Sequence, residues 1–327
     1  MKKVFVVGNI SLDLILGEIN AIPRWGVELL IPGYTMRPGG QASNVSLALG
    51  SLRVPVYVVG TIGDDSFGSH IRSEYENWSI HTDFLFSLPS VPTGLSVAVT
   101  NRETHERTFL TDLGAQSELS ISHFEQIYPF IQSGDLLIIC GYFLSEKIRS
   151  PEFVSLVQKI KSEKPDTVLF LDTGWPPEGW TESTKREIQF LLPEIDYFIP
   201  NEIEIEGFIG TDFKKIHADW DGVLIVKTGK KGCDVYTPFQ SYHVSSVIVE
   251  VKDTIGAGDY FDAGFMLGLL NGFPLLRAVQ AANIVASLNI SLDAGRKILA
   301  RDEDVQKALR GENISINTGA GEGCTGV

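Results

Sequence analysis

Six short apolar runs recur along the chain, and amphipathic stretches of helical length separate them. The runs cover residues 4–7, 54–59, 136–140, 168–171, 197–199 and 223–226. Strands that are apolar on both faces and alternate with helices are typical of a parallel sheet that is covered on both sides. The sequence therefore predicts an α/β fold, in which ligands bind beyond the carboxyl ends of the strands.

Two regions interrupt this alternation and lack a helical pattern. Residues 10–38 and 91–111 contain alternating β-type segments at residues 12–16, 28–36, 94–100 and 107–111. We predict that the two regions are insertions that together form one small β-sheet lid over the strand ends. The chain of 327 residues is expected to form one large domain over residues 1–310. A flexible tail, residues 311–327, is expected to follow because this segment is rich in Gly and Asn.

The charge of the chain argues against polyanionic partners. Its 27 basic and 41 acidic residues give a formal net charge of -14, which repels nucleic acid and anionic membrane surfaces. No segment approaches the roughly 20 apolar residues that a membrane helix needs. The three cysteines lie far apart and form no CxxC pair, which favours a reducing, cytoplasmic location.

The segment of residues 252–261 (KDTIGAGDYF) brings glycines and one carboxylate to the start of an apolar helix. Residues 247–251 before it predict a strand by their β-branched content, while Phe261 and Phe265 recur at helical spacing. A glycine turn at a helix N-terminus presents unpaired backbone N–H groups, which together bind an anion. Asp259 in this position either caps the helix or does proton chemistry beside a bound phosphate.

Three further motifs combine glycines or polar groups, and each also has a simpler structural explanation. Residues 38–44 (PGGQASN) let a ligand approach the backbone near Asn44, or they form only a turn before a helix. Asn201 and Glu204 share the first turn of a helix, where they can orient hydrated Mg²⁺, act as a capping box, or do both. Residues 227–232 (KTGKKG) lack the phosphate-loop pattern and can equally form a hairpin turn.

Taken together and in this order, the motifs resemble the ribokinase-like family of carbohydrate kinases, also called the PfkB family. The resemblance extends from the first strand to about residue 297 and includes two signatures, GG-x-x-x-N at residues 39–44 and D-T-x-G-A-G-D at residues 253–259. It implies a three-layer α/β/α fold with a central, mostly parallel sheet and a small β-sheet lid. It also implies ATP- and Mg²⁺-dependent phosphorylation of a hydroxyl group of a small sugar.

The resemblance implies roles in phosphoryl transfer and in sugar binding at matching positions. Asp259 is expected to be the general base that takes the proton from the acceptor hydroxyl. The anion hole for the transferred phosphoryl group is expected to consist of the backbone N–H groups of Gly256, Ala257 and Gly258. The sugar hydroxyls are expected to contact Asp13, Gly39, Gly40 and Asn44.

The resemblance likewise implies sites for ATP and for ions. Mg²⁺ is expected to bind through its water shell to Asn201 and Glu204. The nucleotide is expected to lie along Lys227, Gly229, Gly232, Thr254 and Asn283. A monovalent cation such as K⁺ is expected beside Asp253, the backbone of Ile255 and the turn at residues 293–295.

Two positions depart from the family pattern. Lys227 stands where the family often has threonine, and residues 172–174 (DTG) replace the start of the D-x-N-x-R segment of many sugar kinases. The second departure removes a basis for naming fructose or ketodeoxygluconate, whereas residues 106–115 are similar to the sugar-kinase lid and favour a free sugar. A nucleoside kinase of the same fold and a non-catalytic sugar-binding regulator are the alternatives. The apolar edge of the lid suggests a homodimer.

Overall fold

The computed structural model describes residues 2–104, 107–291 and 302–310, so the expected tail at residues 311–327 lies outside the described residues. The strands of the described part are β1 (Val4–Gly8), β2 (Ser11–Leu16), β3 (Tyr34–Gly39), β4 (Val56–Gly63), β5 (His81–Leu88), β6 (Leu95–Thr100), β7 (Arg107–Asp112), β8 (Leu136–Cys140), β9 (Val168–Asp172), β10 (Tyr197–Phe198), β11 (Val223–Lys227), β12 (Gly232–Tyr236) and β13 (Ser241–Ser245). Its α-helices are α1 (Gln41–Ser51), α2 (Ser66–Asn77), α3 (Ile121–Ile127), α4 (Pro151–Glu163), α5 (Glu182–Leu191), α6 (Glu202–Ile209), α7 (Ala257–Leu270), α8 (Leu275–Ile290) and α9 (Asp302–Leu309).

The larger sheet has nine strands in the order β13-β12-β11-β10-β9-β8-β1-β4-β5. All neighbours from β11 to β5 are parallel, whereas β12 is antiparallel to both β11 and β13. The six apolar runs of the sequence all fall on parallel strands, so the prediction of a mostly parallel sheet is confirmed. Sequence periodicity missed β5, β12 and β13. Of these, β5 and β13 form the edges of the sheet and mix exposed with buried residues.

Strand β1 shows why helices cover both faces of this sheet. Val4 and Val6 belong to one hydrophobic cluster, Phe5 and Val7 belong to another, and all four are fully buried. Helices α1, α2, α7, α8 and α9 contribute to the first cluster, and α3, α4, α5 and α6 contribute to the second. Each buried Val or Phe side chain contributes about 1.5–3 kcal/mol, so both faces stabilise the expected three-layer fold.

Strands β3, β2, β6 and β7 form a separate sheet in that order, as expected for the lid. β2 is parallel to β6 and antiparallel to β3, and β6 is antiparallel to β7. The expected β-type segment at residues 28–36 is wrong in its first part, because β3 begins only at Tyr34. Pro32, which has no N–H to donate to a sheet, precedes that strand.

The strand expected at residues 247–251 is not formed. Val247, Ile248 and Val251 are exposed side chains that line a cavity next to helix α8. A short β-branched run can serve as a cavity wall as well as a strand, and periodicity alone does not separate the two. Among the helices of the described ranges, none is both long enough and apolar enough to traverse a membrane.

Candidate active site

Helix α7 begins directly at the glycine turn that the sequence predicts to bind an anion. Gly256 precedes the helix with a φ of 75°, a left-handed conformation that glycine adopts without strain. The N–H of Ala257 donates to the carbonyl of Thr254 at 3.3 Å and thereby closes the turn. First-turn N–H groups such as that of Gly258 have no carbonyl partner within the helix, so they are available to an anion.

Close packing against α8 holds α7 in place. A Cβ atom at Gly264 would lie 2.8 Å from the Cα of Ala282, and one at Gly268 would lie 2.6 Å from the Cα of Ala278. A larger residue at either glycine would push the two helices apart, because protein interiors leave no spare volume. The small residues therefore fix the direction of α7 and the position of its first turn.

Asp259 lies in the first turn of α7 and is almost fully buried, with 7% of its surface exposed. The side-chain amide of Asn44 donates to its Oδ2 at 2.7 Å. Burial, and next the negative charge of Asp172, raise the pKa of Asp259 from 3.8 to about 7, although Asn44 and Lys227 oppose the shift. A carboxylate with a pKa near neutrality is well suited to act as a general base.

The residues expected to bind the sugar come together at the carboxyl end of β1. Asp13 of β2 packs directly over Gly39, where any side chain would collide with its carboxylate. Gly40 has a φ of 89° and precedes α1, which carries Asn44. A Cβ atom on Gly256 would lie 3.6 Å from the amide nitrogen of Asn44. Asn44 therefore connects the expected sugar site to the anion-binding turn.

Lys227, at the end of β11, is a buried cation surrounded by carboxylates. Its Nζ lies 2.8 Å from Oδ2 of Asp172 and 3.3 Å from Oδ1 of Asp262. Burial alone would lower the pKa of Lys227, but these two carboxylates and Glu204 raise it well above its usual value. A Cβ atom on Gly258 would lie 3.3 Å from this ammonium group. A fixed positive charge is therefore present beside the anion-binding turn.

Asn201 and Glu204 form the capping box of helix α6. The N–H of Glu204 donates to Oδ1 of Asn201 at 2.9 Å, and the N–H of Asn201 donates to Oε2 of Glu204 at 2.8 Å. Burial and then Asp172 raise the pKa of Glu204 to about 7. Carboxylates crowd around Lys227 here, and Mg²⁺ prefers such oxygen ligands. Asn201 and Glu204 can therefore contact the water shell of the expected Mg²⁺ as well as cap the helix, whereas the described residues contain no group of three or more His, Cys, Asp or Glu that could hold a metal ion directly.

A cavity of about 570 Å³ lies between α7, α8 and the loop after β11. All five residues expected to bind the nucleotide line it: Lys227, Gly229, Gly232, Thr254 and Asn283. The anion-binding turn contributes Ala257 and Gly258, and the irregular segment after β13 supplies apolar side chains. Its size and mostly apolar wall suit a purine nucleotide.

Asn283 has a structural contact as well as a place in this cavity. Its Nδ2 donates to the carbonyl oxygens of Val244 at 3.1 Å and Ser245 at 3.3 Å, which fixes the end of β13. Elsewhere, Oδ1 of Asp253 accepts from the N–H of Ile255 at 3.0 Å, within the expected cation-binding turn. The remaining part of that expected site, residues 293–295, lies outside the described residues.

Sequence reasoning missed Asp262, and it noted Asp172 as a polar residue at a strand end and as a departure from the family pattern, without pairing it with Lys227. The structure brings both carboxylates to Lys227, although they come from different elements. The helical spacing could have predicted the first of these, because Asp262 follows Asp259 by three residues and therefore lies next to it on the surface of α7. The position of Asp172 at a strand end was the signal for the second.

Fold and site together define a kinase that transfers a phosphoryl group to a hydroxyl group of a sugar or nucleoside. The chain belongs to the pfkB family of carbohydrate kinases, whose family description matches residues 1–297. It is therefore an enzyme of the sugar-kinase type, and the relatives described next are named as sugar kinases.

Two relatives and one solved structure illustrate the similarity. The chain is 28% identical over 302 residues to a 5-dehydro-2-deoxygluconokinase of Photobacterium profundum, covering 88% of both chains. It is 25% identical to a ribokinase of Lactococcus lactis, covering 97% of this chain and all of that protein. The structure of Arabidopsis thaliana ribokinase complexed with ribose and ATP superposes with a TM-score of 0.78 at 23% identity, covering 94% of this chain and 98% of that one.

Proposed function

We propose that this protein phosphorylates a hydroxyl group of a small sugar with ATP, and that Asp259 is the general base. The observation that carries the proposal is the geometry around Asp259. Its buried carboxylate accepts a hydrogen bond from Asn44, lies in the first turn of α7 and has a pKa near 7. It can thus remove a proton at neutral pH from a hydroxyl held by Asp13 and Asn44.

Phosphoryl transfer has a loose transition state, so the protein contributes position, charge and a proton acceptor rather than covalent steps. The N–H groups at Gly256 and Gly258 would hold the negative charge on the transferred group, and that of Ala257 would join them by leaving its 3.3 Å contact with the carbonyl of Thr254. An aligned donor of this kind is typically worth about 10²- to 10³-fold in rate. The ammonium of Lys227 would add a fixed positive charge beside that position, since it lies next to Gly258.

The nucleotide is proposed to occupy the 570 Å³ cavity, with its phosphates directed to the first turn of α7. Asn201 and Glu204 would hold Mg²⁺ through its water shell, where the ion neutralises phosphate charge. A K⁺ ion beside Asp253 stays a prediction, because part of its expected site lies outside the described residues. Since ATP is abundant in the cytoplasm, we propose that the enzyme works there.

The proposed unit is one kinase domain over residues 1–310, and the lid is proposed to form a homodimer. Met36 pairs with Leu14 across β2 and β3, Leu14 pairs with Val97, and Val97 pairs with Leu110, so the four share one face of the lid. Leu110 is 65% exposed and Met36 is 41% exposed. A dimer would bury this apolar row, and sedimentation of wild type against Leu110→Lys tests it: the variant should be monomeric.

The proposed activity is tested by mixing the purified protein with MgATP and a panel of sugars, sugar derivatives and nucleosides while following ADP release. At least one sugar-type acceptor should be phosphorylated, and Asp259→Ala should abolish that turnover. Asp212→Asn, which removes an exposed carboxylate that contacts Lys215 and does not line the cavity, is the matched control and should retain it.

Equal ADP release by wild type and Asp259→Ala on every acceptor would overturn the proposal. Phosphorylation of nucleosides alone would assign the protein to the nucleoside kinases of the same fold. Tight binding of a sugar without any turnover would instead indicate a regulator.

A further inference from the structure

The inner face of the lid carries a polar row in which one residue is cationic. Arg37 of β3 pairs with Asp13 of β2, Asp13 pairs with Ser96 of β6, and Ser96 pairs with Thr111 of β7. Residues directly opposite each other on paired strands project to the same face of a sheet. Arg37 therefore projects to the side on which Asp13 faces the proposed sugar site, opposite to the apolar row that contains Met36.

The guanidinium group of Arg37 carries a buried N–H that has no hydrogen-bond partner in the described part of the chain. Its Nε is buried without a hydrogen-bond partner, and in the described part of the chain Arg37 forms no ion pair within 4.0 Å. By contrast, Ser96 and Thr111, further along the same row, form a hydrogen bond with each other, with 2.9 Å between Oγ of Ser96 and Oγ1 of Thr111. A buried donor without a partner is costly and needs an explanation, for example a ligand that completes its hydrogen bonds.

The effects of Arg37 on two other side chains indicate where its guanidinium group lies. Burial raises the pKa of Asp13 to about 6 although the charge of Arg37 opposes this shift, and Arg37 likewise opposes the upward pKa shift of Tyr260, which directly follows Asp259. The guanidinium group is therefore close to both the lid carboxylate and the start of α7. Along β3, Arg37 precedes Gly39 by two residues, which corresponds to roughly 7 Å of strand.

We propose that Arg37 binds an anionic group, a carboxylate or a phosphate, on the acceptor, so that the enzyme prefers anionic sugar derivatives to neutral sugars. The inference rests on the proposed function and specifies its substrate class. The planar fork of an arginine matches the two oxygens of such a group, and charge-assisted pairs of this kind are strong. Because Asp13 and Asp259 repel an anion, the anionic group would lie at the end of the acceptor remote from the reacting hydroxyl.

A simpler role for Arg37 is to neutralise Asp13. That role needs no ligand, but it would favour a direct ion pair, which the two side chains do not form. Strands β2, β3 and β6 contain Arg37 as their one basic residue. Among the residues of these three strands, Arg37 is therefore the one cation that can bind a negatively charged acceptor.

The test compares acceptors that differ only in their charged group. D-Ribose is paired with ribose 1-phosphate, and D-glucitol is paired with D-gluconate, so that the two arms separate phosphate from carboxylate. Turnover with MgATP gives kcat/KM for each acceptor, and calorimetry without nucleotide gives its Kd. In at least one pair, wild type should favour the anion by about tenfold or more, and Arg37→Gln should reduce this preference by about ten- to a hundredfold.

Arg37→Lys should restore part of the preference, because it keeps the charge and loses the fork. The matched control is Arg102→Gln, since Arg102 is an exposed lid arginine whose Nη2 donates to the carbonyl of Glu18; it should behave like wild type. A preference for the neutral member of both pairs, or an anion preference that survives in Arg37→Gln, would overturn the inference. If no acceptor turns over, the proposed function fails, and the calorimetric ratios still decide whether Arg37 selects anions.

Discussion

The first turn of α7 and the inner face of the lid both face the proposed site, but their residues are brought together differently. In α7, consecutive residues at 256–259 supply the backbone donors and the proposed base. In the lid, Arg37, Asp13 and Ser96 come from three strands and meet only through their register. The proposed machinery of phosphoryl transfer is thus local in sequence, whereas the proposed acceptor recognition depends on pairing between distant segments. Changes in α7 should therefore affect the rate, and changes in the lid should affect acceptor affinity.

The largest effect is expected from the α7 side. Asp259→Asn removes the proposed proton acceptor and keeps the shape of the side chain, so kcat should fall by about 10²- to 10⁴-fold. The KM values for acceptor and ATP should change little by comparison. Steady-state kinetics with both substrates varied measures this separation. A fall in affinity without a fall in kcat would place Asp259 with the lid residues instead.

Lys227→Met should lower both stability and activity, because it leaves Asp172 and Asp262 buried without their cation. Breaking a buried ion pair from one side costs about 3–5 kcal/mol, measurable by urea unfolding. The acid limb of the pH–rate profile should move to higher pH, since Lys227 lowers the pKa of Asp259. The double variant Lys227→Met/Asp262→Leu should recover part of the stability, and no recovery would mean that Asp262 does not depend on Lys227.

On the lid side, Asp13→Asn should raise the KM for the acceptor by about ten- to a hundredfold, the range for losing a hydrogen bond to a charged group. The KM for ATP should stay close to the wild-type value, because the expected nucleotide cavity lies at α7 and α8. Initial rates at saturating ATP, and then at saturating acceptor, provide the measurement. A parallel rise in both KM values would contradict the division between the two regions.

A further effect concerns stability and pH and does not involve the rate. Because folding raises the pKa of Asp259 from 3.8 to about 7, its contribution to stability is present below about pH 4 and is lost as pH rises through 7. Asp259→Asn avoids burying that charge, so its stability relative to wild type should increase between pH 4 and pH 8, by at most about 4 kcal/mol. Urea unfolding at both pH values tests this, with Asp212→Asn as the control. A constant difference would mean that the base titrates as an exposed carboxylate does.

Sequence reasoning worked best where structure and chemistry are encoded locally. The turn at residues 253–259 was recognisable because glycines and a helix start determine where backbone N–H groups point. The apolar runs likewise predicted the parallel strands, since a strand buried on both faces needs apolar residues throughout. The five expected nucleotide-binding residues line one cavity, although Lys227, Gly229 and Gly232 lie around the β11–β12 turn, Thr254 precedes α7 and Asn283 lies within α8.

The position of Arg37 beside Asp13 was not predictable in the same way. A slip of one residue between β2 and β3 would turn Arg37 to the opposite face, and the sequence does not specify that register. The environment of Lys227 was missed for a related reason, since Asp172 and Asp262 belong to a different strand and a helix. The prediction of a strand at residues 247–251 was wrong because the β-branched residues of this segment line a cavity instead of pairing with a neighbouring strand.

Only Asn9 and Ile10 separate the last residue of β1 from the first residue of β2, and both are buried. Gly8 before them packs so closely on the carbonyl of Cys140 that a side chain there would collide with it. A short, buried link therefore joins the two sheets at this point, and Asp13 lies three residues beyond it on β2. A movement of the small sheet relative to the large one should displace Asp13 and thereby weaken binding of the proposed acceptor. A crosslink that pulled the two sheets apart should therefore release the sugar before the nucleotide.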